Sequence, residues 1–143
     1  MAEREDEVQS LLLEAEETRA RLEMVTRQVE LLTALRDDKR RAHETLEGVK
    51  TAKVGAEILV PVGGNTFVTA TVKDTAAVLK GVGASYVLPR PLDVAVQELK
   101  KETDAMESDL AALAQNARSL EIRYQQLAAA VSARGGGDLI GGE

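Results

Sequence analysis

The chain has 143 residues, enough for one ordinary domain, yet aromatic residues make up only 2% of it and charged residues 29%. A compact globule of this length buries more rings, so the composition points to long helices rather than a rounded core. A net charge of −6, with no basic run longer than Lys39-Arg40-Arg41, argues against binding a phosphate backbone. The lack of cysteine excludes disulfides and thiolate metal sites and fits a reducing cytosol. The start, Met1 to Asp6, is charged and has no apolar signal core. No stretch approaches the roughly 20 apolar residues of a membrane span.

Residues 5–50 are predicted to be helical. Val8, Leu11, Ala15, Thr18, Leu22, Val25, Val29 and Leu32 alternate spacings of three and four, which is the a/d seam of a left-handed coiled coil. The strict frame then meets Arg36, Lys39 and His43. Leu35, Ala42, Leu46 and Val49 carry an apolar face displaced by about one residue, which predicts a frame shift or a bend there. Gly48 is placed to end the helix.

Residues 57–88 read differently. Val, Ile, Thr, Tyr and Phe are concentrated there and punctuated by Gly, Asn and Asp, which predicts four short strands in two hairpins. The first turns at Gly63-Gly64-Asn65 and the second near Gly83-Ala84, with Lys73-Asp74-Thr75 between them. Ile58, Val60 and Val62 share one face of the first strand, with Leu59 and Pro61 on the other. A strand apolar on both faces expects cover on both sides, and Pro61 marks an edge or an irregularity. Four short strands cannot supply that cover themselves, so the block reads as an assembly platform completed by other subunits. Its expected buried faces are Ile58, Val60, Val62, Phe67, Val68, Val72, Val78, Val82 and Tyr86.

Residues 91–134 are predicted to form a second helix, with Pro91 at its first position and Asp93 in its first turn. Its seam is unbroken: Leu92, Val96, Leu99, Thr103, Met106, Leu110, Leu113, Ala117, Leu120, Tyr124, Leu127 and Val131. The two helical segments are nearly equal in length, about 65 Å each at 1.5 Å per residue. The economical arrangement is antiparallel, with Val8 meeting Val131, Leu32 near Met106 and Leu46 near Leu92. The fold class is therefore α+β: a long antiparallel coiled-coil helical hairpin with two central β-hairpins. The expected organisation is an N-terminal coiled-coil helix over 1–54, a double-hairpin assembly region over 55–90, a C-terminal coiled-coil helix over 91–134, and a glycine-rich disordered tail over 135–143.

Both ends of the chain then share one tip, where apolar residues leave the seam. Leu12 and Leu13 take positions e and f, and Ala128, Ala129 and Ala130 take e, f and g. An apolar tip is a candidate contact surface. The alternative is that these are good helix formers and ordinary exposed residues. The sequence offers no chemistry. His43 is the only histidine, so a histidine metal cluster is impossible, and it reads as a solvated or seam-edge residue. The glycines at 63–64 and 81–83 lack both the GxGxxG spacing and a following Gly-Lys-Ser/Thr, so hairpin turns explain them. The abundant carboxylates fall mostly off the seam, as a solvated helix face requires. No enzyme, metal site or cofactor is expected.

The stretch Glu57-Ile58-Leu59-Val60-Pro61-Val62-Gly63-Gly64, then Phe67-Val68, Val72-Lys73-Asp74-Thr75, Val78, Gly81-Val82-Gly83, Tyr86-Val87 and Ala95 to Leu99, resembles the α-type subunit of prefoldin. The order of helix, two hairpins and helix is that family's, the β type having one hairpin. The resemblance covers the chain to about residue 134. It implies a hetero-hexamer of two α and four β subunits, whose hairpins assemble into an oligomeric double β-barrel. It also implies an ATP-independent holdase that captures unfolded polypeptides at the coiled-coil tips and delivers them to a group II chaperonin. The expected location is cytoplasmic, in an archaeon, with a eukaryotic source the alternative, and without nucleic acid or membrane partners. Client contact is assigned to Leu11, Leu12, Leu13, Leu127 and Val131, with Val8 marginal, and chaperonin docking to the tips with the charged start Glu3 to Glu7. Leu11, Leu127 and Val131 are also seam residues and would serve only where the tip splays. The chain departs from the family pattern in its glycine-rich tail and in the seam break from Arg36 to His43. The runner-up is a structural coiled-coil adaptor that binds one folded partner, without holdase activity.

Overall fold

The heptad spacing produces two long helices, α1 (Ala2–Thr51) and α2 (Leu92–Ala133), and the block between them produces four strands, β1 (Glu57–Gly63), β2 (Thr66–Thr71), β3 (Ala77–Gly83) and β4 (Tyr86–Pro91). This computed structural model describes residues 2–134; the tail expected over 135–143 lies outside the described residues. The chain divides into two units, one holding the residues up to Ala34 with those from Glu107 on, the other holding Leu35–Met106.

In the first unit the seams close on each other. α1 buries Ala15, Thr18 and Val25 and half-buries Val8, Leu11, Leu22, Val29 and Leu32. α2 buries Leu127 and Val131 and half-buries Leu110, Leu113, Ala117, Leu120 and Tyr124. These are the a and d positions of both heptads, as knobs-into-holes packing requires. The direction is antiparallel. Arg134 donates to Glu7 at 2.9 Å and Arg123 donates through Nε to Glu14 at 3.0 Å, so the start of α1 lies beside the end of α2. Thr18 is tolerated in the seam because its hydroxyl donates to the Glu14 carbonyl at 2.8 Å.

In the second unit α2 buries Leu92, Ala95, Val96, Leu99 and Thr103, and α1 faces them with half-buried Ala42, Leu46 and Val49. Lys39 reaches Glu102 at 2.8 Å and Lys50 reaches Asp93 at 3.1 Å, again antiparallel. The seam break is resolved here in a way the apolar pattern did not predict. Arg36, Lys39 and His43 remain on the half-buried face, whereas Leu35 is exposed. Ala42, Leu46 and Val49 of the displaced face are half-buried as well and Lys50 is exposed, so the inner face widens and passes to the displaced frame by Val49, with Arg36 held by Asp37 at 2.9 Å and Lys39 by Glu102. His43 lies half-buried beside Glu47, 3.7 Å away. α1 runs past Gly48 to Thr51, so that glycine does not end it.

The strands form two separate two-stranded antiparallel sheets, β1-β2 and β3-β4. In the first, Ile58 faces Ala70 and Val60 faces Val68, while Leu59 faces Thr69 and Pro61 faces Phe67. Directly opposed residues share a face, so one face is wholly aliphatic and the other mixed. The register slips between Pro61 and Gly63, a bulge that leaves Val62 unpaired. The turn residues Gly64 and Asn65 both have positive φ, 56° and 55°, which fits a tight hairpin. In the second hairpin the turn is Ala84-Ser85, both at positive φ, one residue later than expected. β4 also runs on to Pro91, so α2 begins at Leu92 and Pro91 closes the strand instead of opening the helix. Between the hairpins, Asp74 accepts from the Ala76 amide at 2.8 Å, and the Ala76 carbonyl accepts from Leu92 at 2.9 Å, which fastens the start of α2 to the link.

Leu127 is 1% exposed, so Leu127→Ala should lower stability by about 2–5 kcal/mol, read as a lower thermal midpoint of the helical circular dichroism signal. Leu13→Ala, at an exposed position, should stay within about 0.5 kcal/mol of the parent.

Candidate functional site

Apolar surface is left uncovered in each unit, and each case is built differently. In the first unit the residues expected to contact a partner are Leu11, Leu12, Leu13, Leu127 and Val131. The structure separates them. Leu127 and Val131 are 1% and 0% exposed, Leu11 and Leu12 are half-buried, and Leu13 is 67% exposed. The ion pairs Glu7–Arg134 and Glu14–Arg123 bracket this end of the helix pair, and Arg134 also donates to the Ala130 carbonyl at 3.0 Å. What the closed tip offers to solvent is Leu13, with parts of Leu11 and Leu12 and the small side chain of Ala129. Sequence reasoning missed Met24, Leu31 and Ile122, which are also exposed. Their signal was present: each is apolar at a heptad position away from the seam.

In the second unit the hairpin faces are open. Ile58, Val60, Val62, Phe67, Val68, Val82 and Tyr86 are all exposed, and Val78 is half-buried. Val72 is the exception at 7% exposure. It lies just past β2, and its backbone exchanges hydrogen bonds with Gly55 and Ala56, so it anchors the first hairpin to the end of α1. Leu59, Leu79, Val87 and Leu88 add to the open surface. The first hairpin therefore presents aliphatic side chains on both faces with nothing among the described residues to cover them.

The second hairpin is held by charge. Lys80 donates to Glu98 at 2.7 Å and to Glu102 at 3.0 Å, Lys39 of α1 donates to the other oxygen of Glu102, and Arg90 lies 3.7 Å from Glu98. Lys80 and Arg90 project from one face of the hairpin, since Lys80 is opposite Leu88 and Arg90 opposite Val78. Five charged groups thus join α1, β3, β4 and α2. The Glu98 hydrogen bond, then that of Glu102, raises the Lys80 ammonium above its ordinary value against the opposing pull of burial. The Lys80 bond lowers Glu98, and the Lys39 bond, then that of Lys80, lowers Glu102. Beneath this bridge an apolar cavity of about 380 Å³ remains open, lined by Ala42, Leu46, Val78, Ala95 and Leu99 among others. Arg90 Nε is buried without a hydrogen-bond partner among the described residues.

Among the described residues no group of three His, Asp or Glu side chains is placed to hold a metal ion, and no helix is long and apolar enough to cross a membrane.

The comparisons converge. Residues 18–136 match the family model of the prefoldin subunit. The chain is 32% identical over 101 residues to prefoldin subunit alpha 1 of Thermococcus kodakarensis, covering 71% of this chain and 69% of that protein. It is 28% identical over 130 residues to prefoldin subunit alpha of Methanocorpusculum labreanum, covering 86% and 88%. Among solved structures, a chain of filamentous PFD from Methanocaldococcus jannaschii superposes with a TM-score of 0.65 at 23% identity, over 80% of this chain and 95% of that one. The prefoldin beta subunit from Thermococcus strain KS-1 gives 0.59 at 20% identity, over 89% and 90%. At these identities the structural likeness attests the fold.

The carboxylates of the charge bridge give a signed pH dependence. Glu98 and Glu102 are held below the ordinary glutamate value of 4.5, so their contribution is complete above that value and is lost as pH falls through their lowered values. Lys80 is held above 10.5, so its contribution is complete below that value and is lost as pH rises through its raised one. Acidification should therefore lower the protection of the β3 amides, measured relative to the intrinsic exchange rate at each pH, before it affects the buried stretch of α2. Glu102→Gln should produce the same loosening at neutral pH, and equal exchange rates in variant and parent would show that the bridge holds nothing.

Proposed function

The chain belongs to the prefoldin family, as an α-type subunit with the role of an ATP-independent chaperone, and from that premise we propose how its two open surfaces divide the work. The hairpins join other subunits. The first unit, where both helices end, holds unfolded polypeptide and passes it to a group II chaperonin. Family members assemble with other prefoldin subunits; the proposed assembly here is two α-type and four β-type chains, with their hairpins closed into a double β-barrel. The reading is supported by the exposure of aliphatic side chains on both faces of β1 and β2, which the described residues leave uncovered. A neighbouring hairpin would bury them, and would also cover the open cavity beneath β3. The proposed location is the cytoplasm.

The observation that carries the holding function is the state of the tip. Leu127 and Val131 are sealed inside the seam, while Leu13 stands in solvent and Leu11 and Leu12 stand partly so. A closed tip with a few exposed leucines gives weak contact, and several such tips in one assembly give avidity through effective concentration. Weak contact per tip also permits release without a nucleotide. Client contact is therefore assigned first to Leu13 and Leu12, then to Leu11. Leu127 and Val131 would join only if the tip opened. The acidic start, Glu3 to Glu7, is proposed for chaperonin docking. Binding an unfolded chain requires no bond to be made or broken, so no enzymatic step is proposed. The comparisons do not favour an adaptor that binds one folded partner.

Leu12→Glu with Leu13→Glu should weaken client holding by about tenfold, roughly 1.4 kcal/mol, with assembly size unchanged. The measurement is light scattering of a diluted, denatured model protein in the presence of the assembly. Undiminished suppression would reject the tip assignment.

A further inference from the structure

From the tip onward, α1 keeps large apolar side chains in solvent. Leu13, Met24 and Leu31 are 67%, 60% and 66% exposed. Eleven residues separate the first two and seven the second two, close to three and two whole turns, so the three stand in one line along the helix. The line runs opposite the buried seam of Ala15, Thr18 and Val25, and the residues between, Glu17, Ala20 and Arg27, are exposed too. One exposed leucine needs no explanation; three large apolar side chains in register over about 27 Å do.

The spacing selects the occupant. A second helix packing there would need a large apolar residue about every 3.5 positions, and this line offers one at spacings of eleven and seven, with only the small Ala20 between. An added strand would need free backbone donors, and α1 is continuous helix through this region. Widely spaced, unbranched or γ-branched side chains suit a partner without a fixed surface, and methionine in particular adapts to different neighbours. We infer that an extended segment of unfolded polypeptide, about eight residues long at 3.3 Å per residue, lies along Leu13, Met24 and Leu31, so that the client site continues from the tip along the solvent face of α1. This rests on the holdase reading. It adds that a client is gripped along its length, and that peptides too short to span the line lose part of their affinity.

The test uses the full chain in its assembly with β-type prefoldin subunits and guanidinium-unfolded citrate synthase as client. A benzophenone side chain placed at position 24 or 31 should crosslink to the client, and one at the exposed position 19, off the line, should not. Met24→Glu with Leu31→Glu should weaken client binding about fivefold, the effect of removing two partly buried apolar contacts, while helicity and assembly size stay constant. Crosslinking at 19 as strong as at 24, or parental affinity in the Met24→Glu/Leu31→Glu variant while Leu12→Glu/Leu13→Glu still loses binding, would overturn the line and leave the tip. Parental affinity in both variants would overturn the line and the holdase reading together.

Discussion

Two apolar stripes that only each other can cover govern this molecule. Each long helix is polar on most of its circumference and would be marginal alone in water. Closing a and d positions of α1 on those of α2 removes the stripes from solvent and fixes direction. The cross-helix ion pairs Glu7 with Arg134, Glu14 with Arg123, Lys39 with Glu102 and Lys50 with Asp93 fall where antiparallel order puts opposite charges side by side. Exposed pairs of this kind add little stability. Their value is register, because a helix slipped by one turn would leave them unmatched.

The seam break shows what such a constraint can absorb. Three polar residues occupy the stripe at 36, 39 and 43, beside half-buried Ala42 and Val49, and Leu35 is not turned inward. Lys39 instead enters a bridge that also receives Lys80 from β3 and Arg90 from β4. The interruption is where the second hairpin is attached. An all-apolar seam would pack the helices equally well there but would give the hairpin no charged anchor. The first hairpin has no comparable bridge; beyond Val72 and its backbone bonds it is tied only by chain connectivity among the contacts described.

That division also explains what was legible in advance. The helices, their seams and the two hairpins follow from period, since an apolar residue every 3.5 or every 2 positions is a local signal, and all twelve expected seam residues of α2 are buried or half-buried. The bridge was not legible, because it joins residues 18 and 63 positions apart that carry no mark of being partners. Leu35 misled because hydrophobicity was weighed without the ion pairs that let Arg36 and Lys39 keep the inner face. The second turn was misplaced because Ala84 and Ser85 adopt positive φ, which neither residue favours. At the tip, Leu12 and Leu13 were visible as apolar residues off the seam. The closure over Leu127 and Val131 depends on packing that composition alone does not determine.

The two kinds of exposed apolar surface differ in density, and density separates permanent from transient contact. On the first hairpin Ile58, Val60, Val68 and Ala70 stand on a single face across two strands. A patch that continuous has a large free energy to gain from one complementary face and little reason to let go. On α1 the exposed leucines and methionine are diluted by Glu17, Ala20 and Arg27, so two copies of this chain gain little by pressing these faces together. On the proposed reading, an extended client threads between the charges and reaches each apolar side chain in turn. A subunit with that role offers apolar contact to non-native chains without pairing with its own kind by spreading the same side chains thinly. On the same reading, the crowded version of that surface serves its own assembly.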